Sequence, residues 1–195
     1  MLTSSQNKFT IDSNIKTAPY KISSHLLCLL DNNVIENSNI IILCIGTDRS
    51  TGDSLGPLVG QKLSSYYKLK NAKVFGTLLN PIHAKNITEN KNLIYNTYTN
   101  PFIIAIDAAL GCIENIGKIN IQKGPLYPGA GVNKNIPSIG DISITGIVNL
   151  SGYMEFAMLQ STRLSLVMSM ADTIALSIYM CMKRIEFSNI SVNQF

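Results

Sequence analysis

Apolar residues along this chain fall into short uninterrupted runs separated by stretches of helical periodicity. The runs Asn39–Gly46 (NIIILCIG) and Pro101–Asp107 (PFIIAID) are continuous and rich in β-branched residues. This pattern is typical of strands buried on both faces of a parallel sheet. Shorter runs predict three further strands, at Lys73–Thr77, Lys118–Gln122 and Asp141–Val148.

Helical patterns lie between and after these strands. We expect a short helix over Ile22–Leu30, a longer one over Leu55–Leu69, and a weak helix mixed with loop over Pro81–Asn100. From Gly152 to Arg184 the pattern predicts one long helix or two abutting ones. Strands that alternate with helices predict a three-layer α/β fold, with a mostly parallel twisted sheet and helices on both faces.

Composition supports one folded domain. The chain has 195 residues, of which 46% are hydrophobic and only 14% charged, which excludes an intrinsically disordered chain. The polar residues 1–20 predict a flexible N-terminal tail, and residues 21–195 a single domain. The net charge of +4 comes from scattered basic residues without interleaved aromatics, so nucleic acid is not the expected partner.

The most membrane-like segment is Leu164–Met182, which carries Asp172 near its middle. Its strongest apolar residues recur at intervals of three and four, which predicts an amphipathic core helix rather than a membrane span. The four cysteines show no metal-type spacing, and no signal peptide is visible at the N-terminus. These features predict a reducing, cytoplasmic setting.

Ligands of open α/β sheets bind beyond the carboxyl ends of the strands. Three loops are expected there: Gly46–Gly56, Asp107–Gly111 and Gly124–Lys134. The first is not a phosphate loop, because five residues separate its two glycines and the next residue is Asp53, which would repel a phosphate. The same topology brings Asp53 and Asp107 to one edge of the sheet.

Paired carboxylates suit hydrolysis. Two acids held close together cannot both ionise, so one keeps a proton while the other polarises a water molecule. Alternatively, the pair holds a divalent metal ion that activates the water. A structural interpretation stays open for each residue, since Asp53 suits a helix N-cap and Asp107 a turn at the end of a strand.

Four segments carry a family resemblance, which covers residues 39–182. GTDRSTGDSLGPLVG, IIAIDAALG, GPLYPGAGVNK and GDISITGIVN together closely resemble the YyaC-type sporulation proteins. These are relatives of the germination protease of spore-forming bacteria and, more distantly, of the hydrogenase maturation endopeptidases. The resemblance implies a phosphorylase/hydrolase-like α/β fold and hydrolysis of peptide bonds.

The germination protease is an atypical aspartic endopeptidase whose aspartates lie in segments of the form TPDALGP and AIDALA. Thr51–Pro57 and Ala105–Leu110 match these segments, so the resemblance implies that Asp53 and Asp107 are catalytic. Its PGSGVGNK segment matches Pro128–Lys134 with one residue fewer. The expected substrate-binding residues are Gly46, Thr47, Asp48, Gly52, His83, Gly129, Gly131, Asn133 and Lys134.

The hydrogenase maturation relatives bind a metal ion through an acid, an Asp and a later His. This chain has only His25 and His83, so no histidine follows Asp107. That difference favours a reaction without a metal or other cofactor, with a divalent metal as the alternative. His83 is expected either to line the cleft, as a proton shuttle, substrate contact or replacement ligand, or to be a loop residue bonded to the backbone.

The leading hypothesis is therefore a sporulation-associated endopeptidase of the forespore or spore interior. By resemblance, its substrates are small acid-soluble spore proteins or another spore protein. Two alternatives stay open, a non-catalytic spore protein that binds peptides in the same cleft and a metal-assisted maturation peptidase.

Overall fold

The computed structural model describes residues 8–30, 32–128 and 137–192. Within these ranges the chain forms one six-stranded sheet with helices packed around it. The strands are β1 (Lys8–Asp12), β2 (Asn39–Cys44), β3 (Lys73–Phe75), β4 (Pro101–Gly111), β5 (Lys118–Lys123) and β6 (Ile142–Leu150). The α-helices are α1 (Ala18–Leu29), α2 (Asn32–Asn37), α3 (Leu55–Lys62), α4 (Ile87–Thr97), α5 (Glu155–Gln160) and α6 (Leu164–Val192).

The strand order is β1-β5-β6-β4-β2-β3. Strands β3, β2, β4 and β6 run parallel, whereas β5 is antiparallel to β6 and β1 is antiparallel to β5. The predicted α/β class with a mostly parallel sheet is confirmed. Every strand predicted from a run of apolar residues is present, and the C-terminal helical stretch divides into α5 and α6.

One face of the sheet packs against α1, α3 and α6 in the larger hydrophobic core. Isoleucines from the central strands meet the buried stripe of α6, which includes Val167, Ala171 and Ile178. Helix α6 is long and apolar enough to cross a membrane by length and composition alone, but half of its most apolar window is buried inside the protein. The predicted core helix is thus present, although Leu164 at its start is 58% exposed.

The opposite face is covered over only part of its width. Helix α4 packs there against β2 and β4, where Ile87 and Ile94 join the smaller core cluster. Among the described residues, no helix contributes to a core on this face over β6, β5 and β1. Their outward side chains are mainly polar, so this half of the sheet is available to a ligand.

The N-terminal region departs from the predicted tail. Residues 8–12 add an antiparallel edge strand to β5, and α1 begins at Ala18, ahead of the predicted helix. Phe9 and Ile11 alternate with polar residues and pack against the large core. Five residues with two apolar positions give too weak a signal in the sequence, because the pairing that stabilises them is with a strand more than a hundred residues away.

Strand β4 is also longer than predicted, since it continues to Gly111 rather than ending at Asp107. Its final residues pair with β6 alone, and the register shifts between Ala109 and Leu110. On its other side, β2 ends at Cys44, which pairs with Ile106. Asp107 therefore lies within its own strand but directly beyond the end of the neighbouring one.

Three glycines seat α3 directly on the sheet. A Cβ atom at Gly56 would overlap the carbonyl oxygen of Ile45, and one at Gly60 would overlap the carbonyl oxygen of Gly76. Gly76, at φ +83°, in turn lies against the carbonyl oxygen of Cys44. Only glycine permits these backbone contacts, and they fix the start of α3 beside the carboxyl end of β2.

Candidate active site

Asp107 is the most deeply buried carboxylate of the site, with 8% of its surface exposed. Its Oδ1 accepts a hydrogen bond of 2.8 Å from the N–H of Ala108. Burial raises the pKa of Asp107 well above its ordinary value, the charge of Asp53 raises it further, and the Ala108 N–H lowers it. Burial dominates because a carboxylate loses its hydration inside the protein.

Asp53 lies in a single 3₁₀ turn (Gly52–Ser54) that leads into α3. It is half-buried, and this burial raises its pKa, while the backbone N–H of Thr47 and the charge of His83 lower it. Neither the turn nor α3 has a side-chain hydrogen bond at its N-cap. The helix-capping interpretation of Asp53 therefore lacks its expected hydrogen bond, and the turn interpretation of Asp107 is wrong because that residue is in a strand.

The two carboxylates are close enough for the charge of Asp53 to act on Asp107. Both pKa values are raised, and that of Asp107 is raised more strongly because this residue is the more deeply buried and also experiences the charge of Asp53. The structure thus brings together the two residues that the sequence singled out, in unequal environments.

The loop before Asp53 is held by backbone contacts. Gly46 has φ +137° and donates its N–H to the carbonyl oxygen of Ile82 at 2.7 Å. The N–H of Thr47 donates to the carbonyl oxygen of Asp53 at 3.1 Å. A Cβ atom at Gly52 would lie 2.8 Å from Oγ1 of Thr162, so this glycine packs tightly against the segment after α5. These contacts leave Asp53 little freedom to move.

His83 fits the interpretation as a loop residue bonded to the backbone, and it is not among the residues that line the cleft. Its Nδ1 accepts the N–H of Lys85 at 3.3 Å, and its own N–H donates to Oδ1 of Asn86 at 2.8 Å. The residue is half-buried, and its charge acts on Asp53. Ser54 is not placed as a nucleophile, since its hydroxyl donates to the carbonyl oxygen of Thr51 at 2.6 Å.

Both aspartates open into a cleft of about 920 Å³. This volume is at the upper end of typical ligand sites, which hold roughly 300–1,000 Å³. The floor of the cleft is the outward face of β4, β6, β5 and β1, and its wall comes from α5, the turn before it and the segment after β5. The polar floor residues are Lys8, Asp107, Asn120, Gln122, Ser143 and Thr145, and the wall includes Leu126, Tyr127, Tyr153, Met154, Glu155, Phe156 and Leu159.

The remaining predicted residues are distributed differently. Asp48 is exposed, and neither it nor the predicted substrate-binding residues Gly46, Thr47, Gly52 and His83 are among the residues that line the cleft. Gly129, Gly131, Asn133 and Lys134 lie outside the described residues.

A metal ion at this site would need a third ligand beside Asp53 and Asp107. In the described part of the structure, no group of three or more His, Cys, Asp or Glu side chains is placed to hold a metal ion. Asp53 and Asp107 would supply two hard oxygen ligands, and no histidine follows Asp107 in the sequence.

Of the cleft, the sequence predicts the segment after β5 and the residues that follow Asp107, whereas the polar face of β5, β6 and β1 and the aromatic residues around the start of α5 are not predicted. The signal of the polar face is the alternation in β5 (KINIQK) and in the first residues of β6 (ISIT), where isoleucines face the core and polar residues face outward. The sequence does not show that these two faces join, because the strands are paired only in the folded chain. The aromatic residues Tyr153 and Phe156 of the wall lie in a stretch whose sequence predicts only the start of a helix.

Fold and site together define an α/β protein with a pair of unequal carboxylates in a cleft beside a mixed sheet. The chain belongs to the family described as "Protein of unknown function (DUF1256)", whose model matches residues 10–177. This match includes both aspartates and most of the cleft.

Two similar proteins agree with this family assignment. The chain is 54% identical over 136 residues to "Uncharacterized protein YyaC" of Bacillus subtilis (strain 168), a match that covers 70% of this chain and 66% of that protein. The match thus spans slightly less than two thirds of the relative's length, and it confirms the resemblance to YyaC-type proteins. Among solved structures, the [NiFe] hydrogenase maturation protease HycI from Thermococcus kodakarensis KOD1 has a similar fold, with a TM-score of 0.53 and 17% identity. That match covers 81% of this chain and 98% of HycI.

Proposed function

We propose that this protein is a peptide hydrolase in which Asp53 and Asp107 activate water. The observation that carries the proposal is the coupling of two carboxylates in one open cleft, the deeper one favouring its protonated form. An acid pair poised to share a proton has one member ready to accept a proton and one ready to donate. The fold shared with a maturation protease supports a peptidase rather than another hydrolase.

The two acids take complementary roles in the reaction. Asp53, as carboxylate, accepts a proton from water as the water oxygen bonds to the carbonyl carbon of the substrate. Asp107 gives its proton to the carbonyl oxygen, which neutralises the developing oxyanion. When the C–N bond of the adduct breaks, Asp53 returns its proton to the leaving nitrogen and Asp107 regains one from the adduct. The products are a carboxylic acid and an amine, and neither a metal nor a cofactor enters the balance.

The biological setting of the proposal follows from the resemblance to sporulation proteins. We place the enzyme in the cytoplasm of the forespore or in the spore interior, as an atypical aspartic-type endopeptidase. Its substrates are spore proteins, with small acid-soluble spore proteins as the first candidates. The support is the 54% identity to a protein of a Bacillus species and the motifs around both aspartates.

The decisive experiment incubates the purified protein with small acid-soluble spore proteins and identifies the fragments by mass spectrometry. We expect discrete cleavage by the wild-type protein and by Glu114→Gln, an exposed acidic residue outside the cleft. We expect cleavage by Asp53→Asn or Asp107→Asn to be slower than cleavage by the wild-type protein by about 100-fold or more. Cleavage by the two aspartate variants at the wild-type rate would contradict the proposal, and binding without cleavage by the wild-type protein would replace it with a peptide-binding function.

A further inference from the structure

A row of polar side chains crosses the open half of the sheet and leads away from Asp107. The strand register pairs Asp107 with Thr145, Thr145 with Asn120, and Asn120 with Thr10. Residues directly opposite one another in a sheet point to the same face, so these four side chains form one line. Strands lie about 4.8 Å apart, so the line spans about 14 Å, the length of about four residues of extended chain.

The groups along this row suit the backbone of a polypeptide. The hydroxyl of Thr10 donates to Oδ1 of Asn120 at 2.7 Å, which leaves Nδ2 of Asn120 to donate to a ligand. A parallel row continues through Ser143 and Gln122. Hydroxyl and amide groups both donate and accept, as peptide N–H and C=O groups require, and they do not select a particular side chain.

The wall of the cleft has the opposite character. Tyr153 is fully exposed, and Phe156, Tyr127 and Met154 are 69%, 68% and 75% exposed, although all of them line the same cleft. Soluble proteins rarely expose several large apolar side chains together unless the surface binds a ligand or partner. Met154 also adopts the left-handed conformation, at φ +65°, which is uncommon for a residue with a side chain and often marks a binding segment.

The aromatic wall is connected to the candidate catalytic loop. Nδ2 of Asn149 donates to the carbonyl oxygen of Met158 at 2.8 Å and to Oγ1 of Thr162 at 3.2 Å, which anchors α5 and the turn after it to β6. Leu159 and Thr162 pack directly against Gly52, next to Asp53. Helix α5 and the turn that carries Asp53 are therefore in direct contact.

We propose that the cleft binds an extended segment of polypeptide whose backbone lies on the polar rows of the floor and whose bulky apolar side chain packs against Tyr153 and Phe156. This proposal rests on the proposed hydrolytic function and specifies the class of substrate that the same site binds. Within the described ranges no helix covers the polar floor, and the wall is apolar, so an extended segment with an apolar side chain suits both surfaces better than a folded, charged one. The wall is also continuous with the acid pair, which favours a substrate over a second copy of this chain.

The proposal is tested by binding, which does not require catalysis. The probes are fluorescein-labelled Gly-Ser peptides, either without an apolar residue or with one phenylalanine placed at successive positions. Anisotropy is measured with Asp107→Asn, so that no probe is consumed. We expect the best phenylalanine peptide to bind about 10- to 100-fold more tightly than the Gly-Ser peptide, as burial of one large apolar side chain predicts.

Two sets of variants, made in the Asp107→Asn background, distinguish the contribution of the wall to peptide binding from that of the floor. The double variant Tyr153→Ser/Phe156→Ser is expected to abolish the preference for phenylalanine, whereas Tyr66→Ser, which removes an exposed aromatic outside the cleft, leaves it intact. Asn120→Ala/Thr145→Ala is expected to weaken the binding of the phenylalanine peptides without changing the preferred position. Thermal unfolding of each variant confirms that it is folded.

The outcomes for substrate class and for hydrolysis are distinguishable. Equal affinity for all peptides, or a preference that persists in Tyr153→Ser/Phe156→Ser, would overturn the proposed substrate class. So would sedimentation showing that the wild-type chain dimerises and that this double variant does not. If the phenylalanine preference holds but the wild-type protein cleaves no bound peptide, the hydrolytic proposal fails while the binding mode stands.

Discussion

Replacing Asp107 by Asn should change activity and stability in opposite directions. Asparagine has nearly the same shape, and its carbonyl oxygen can still accept the hydrogen bond from Ala108. It has no ionisable proton to exchange with Asp53 or the substrate. Loss of a positioned acid or base typically lowers the rate by about 10²- to 10⁴-fold, so we expect turnover to fall within that range.

The stability change follows from the raised pKa of Asp107 in the folded chain. Between the ordinary pKa of an aspartate and this raised pKa, the folded state holds more protons than the unfolded state. The free energy of unfolding therefore falls as the pH rises through this window, and the whole cost is present above it. Each tenfold difference in proton affinity corresponds to about 1.4 kcal/mol, or about 3–6 °C in Tm for a chain of this size.

The assay records thermal unfolding of the wild-type protein, Asp107→Asn and Glu114→Gln from pH 4 to pH 8, with peptide turnover measured on the same preparations. We expect Asp107→Asn to exceed the wild-type Tm at neutral pH and the difference to shrink as the pH falls. Glu114→Gln, at an exposed position, should follow the wild-type curve. A lower Tm for Asp107→Asn at neutral pH would refute the reasoning, because it would show an ionised carboxylate that stabilises the fold.

Four further outcomes are expected. Gly52→Ala should lower turnover by at least about tenfold, because the new Cβ would lie 2.8 Å from Oγ1 of Thr162 and displace Asp53; unchanged kinetics would show that the loop adapts. The double variant of Asp53 and Asp107 to Asn should be scarcely less active than either single variant, since residues that act as one unit are not additive in kinetics. Ile174→Ala, in the fully buried stripe of α6, should cost about 2–5 kcal/mol in a denaturant titration; a smaller loss would contradict its place in the core. Elemental analysis of protein purified without chelator should find no stoichiometric zinc or nickel, and finding either would revive the metal-assisted alternative.

The parts of this fold that could be predicted are those with a local signal. Strands β2 and β4 are continuous apolar runs, and α6 repeats its apolar residues with helical spacing. These three elements can therefore be predicted from neighbouring residues alone. Asp53 and Asp107 were placed together by the rule that parallel strands share one carboxyl edge. The floor of the cleft could not be found in this way, because Lys8 and Gln122 are more than a hundred residues apart and only strand pairing aligns them. The end of β4 could not be predicted because Asp, Ala and Gly have low β-propensity, and the pairing of Ala108–Gly111 with β6 overrides that preference.

Gly56 and Gly60 of α3, together with Gly76, have a consequence for how sequences with this fold diverge in evolution. They hold Asp53 in place through contacts between main-chain atoms, so the surrounding core can change its side chains without moving that carboxylate. Distant descendants are then free to diverge in most of the core while these three positions tolerate no side chain. A descendant that keeps the glycines but has lost Asp53 would retain the cleft with Asp107 alone, without the pair of carboxylates. Glycines at these positions are thus the better marker of common ancestry, and the aspartates the better marker of chemistry.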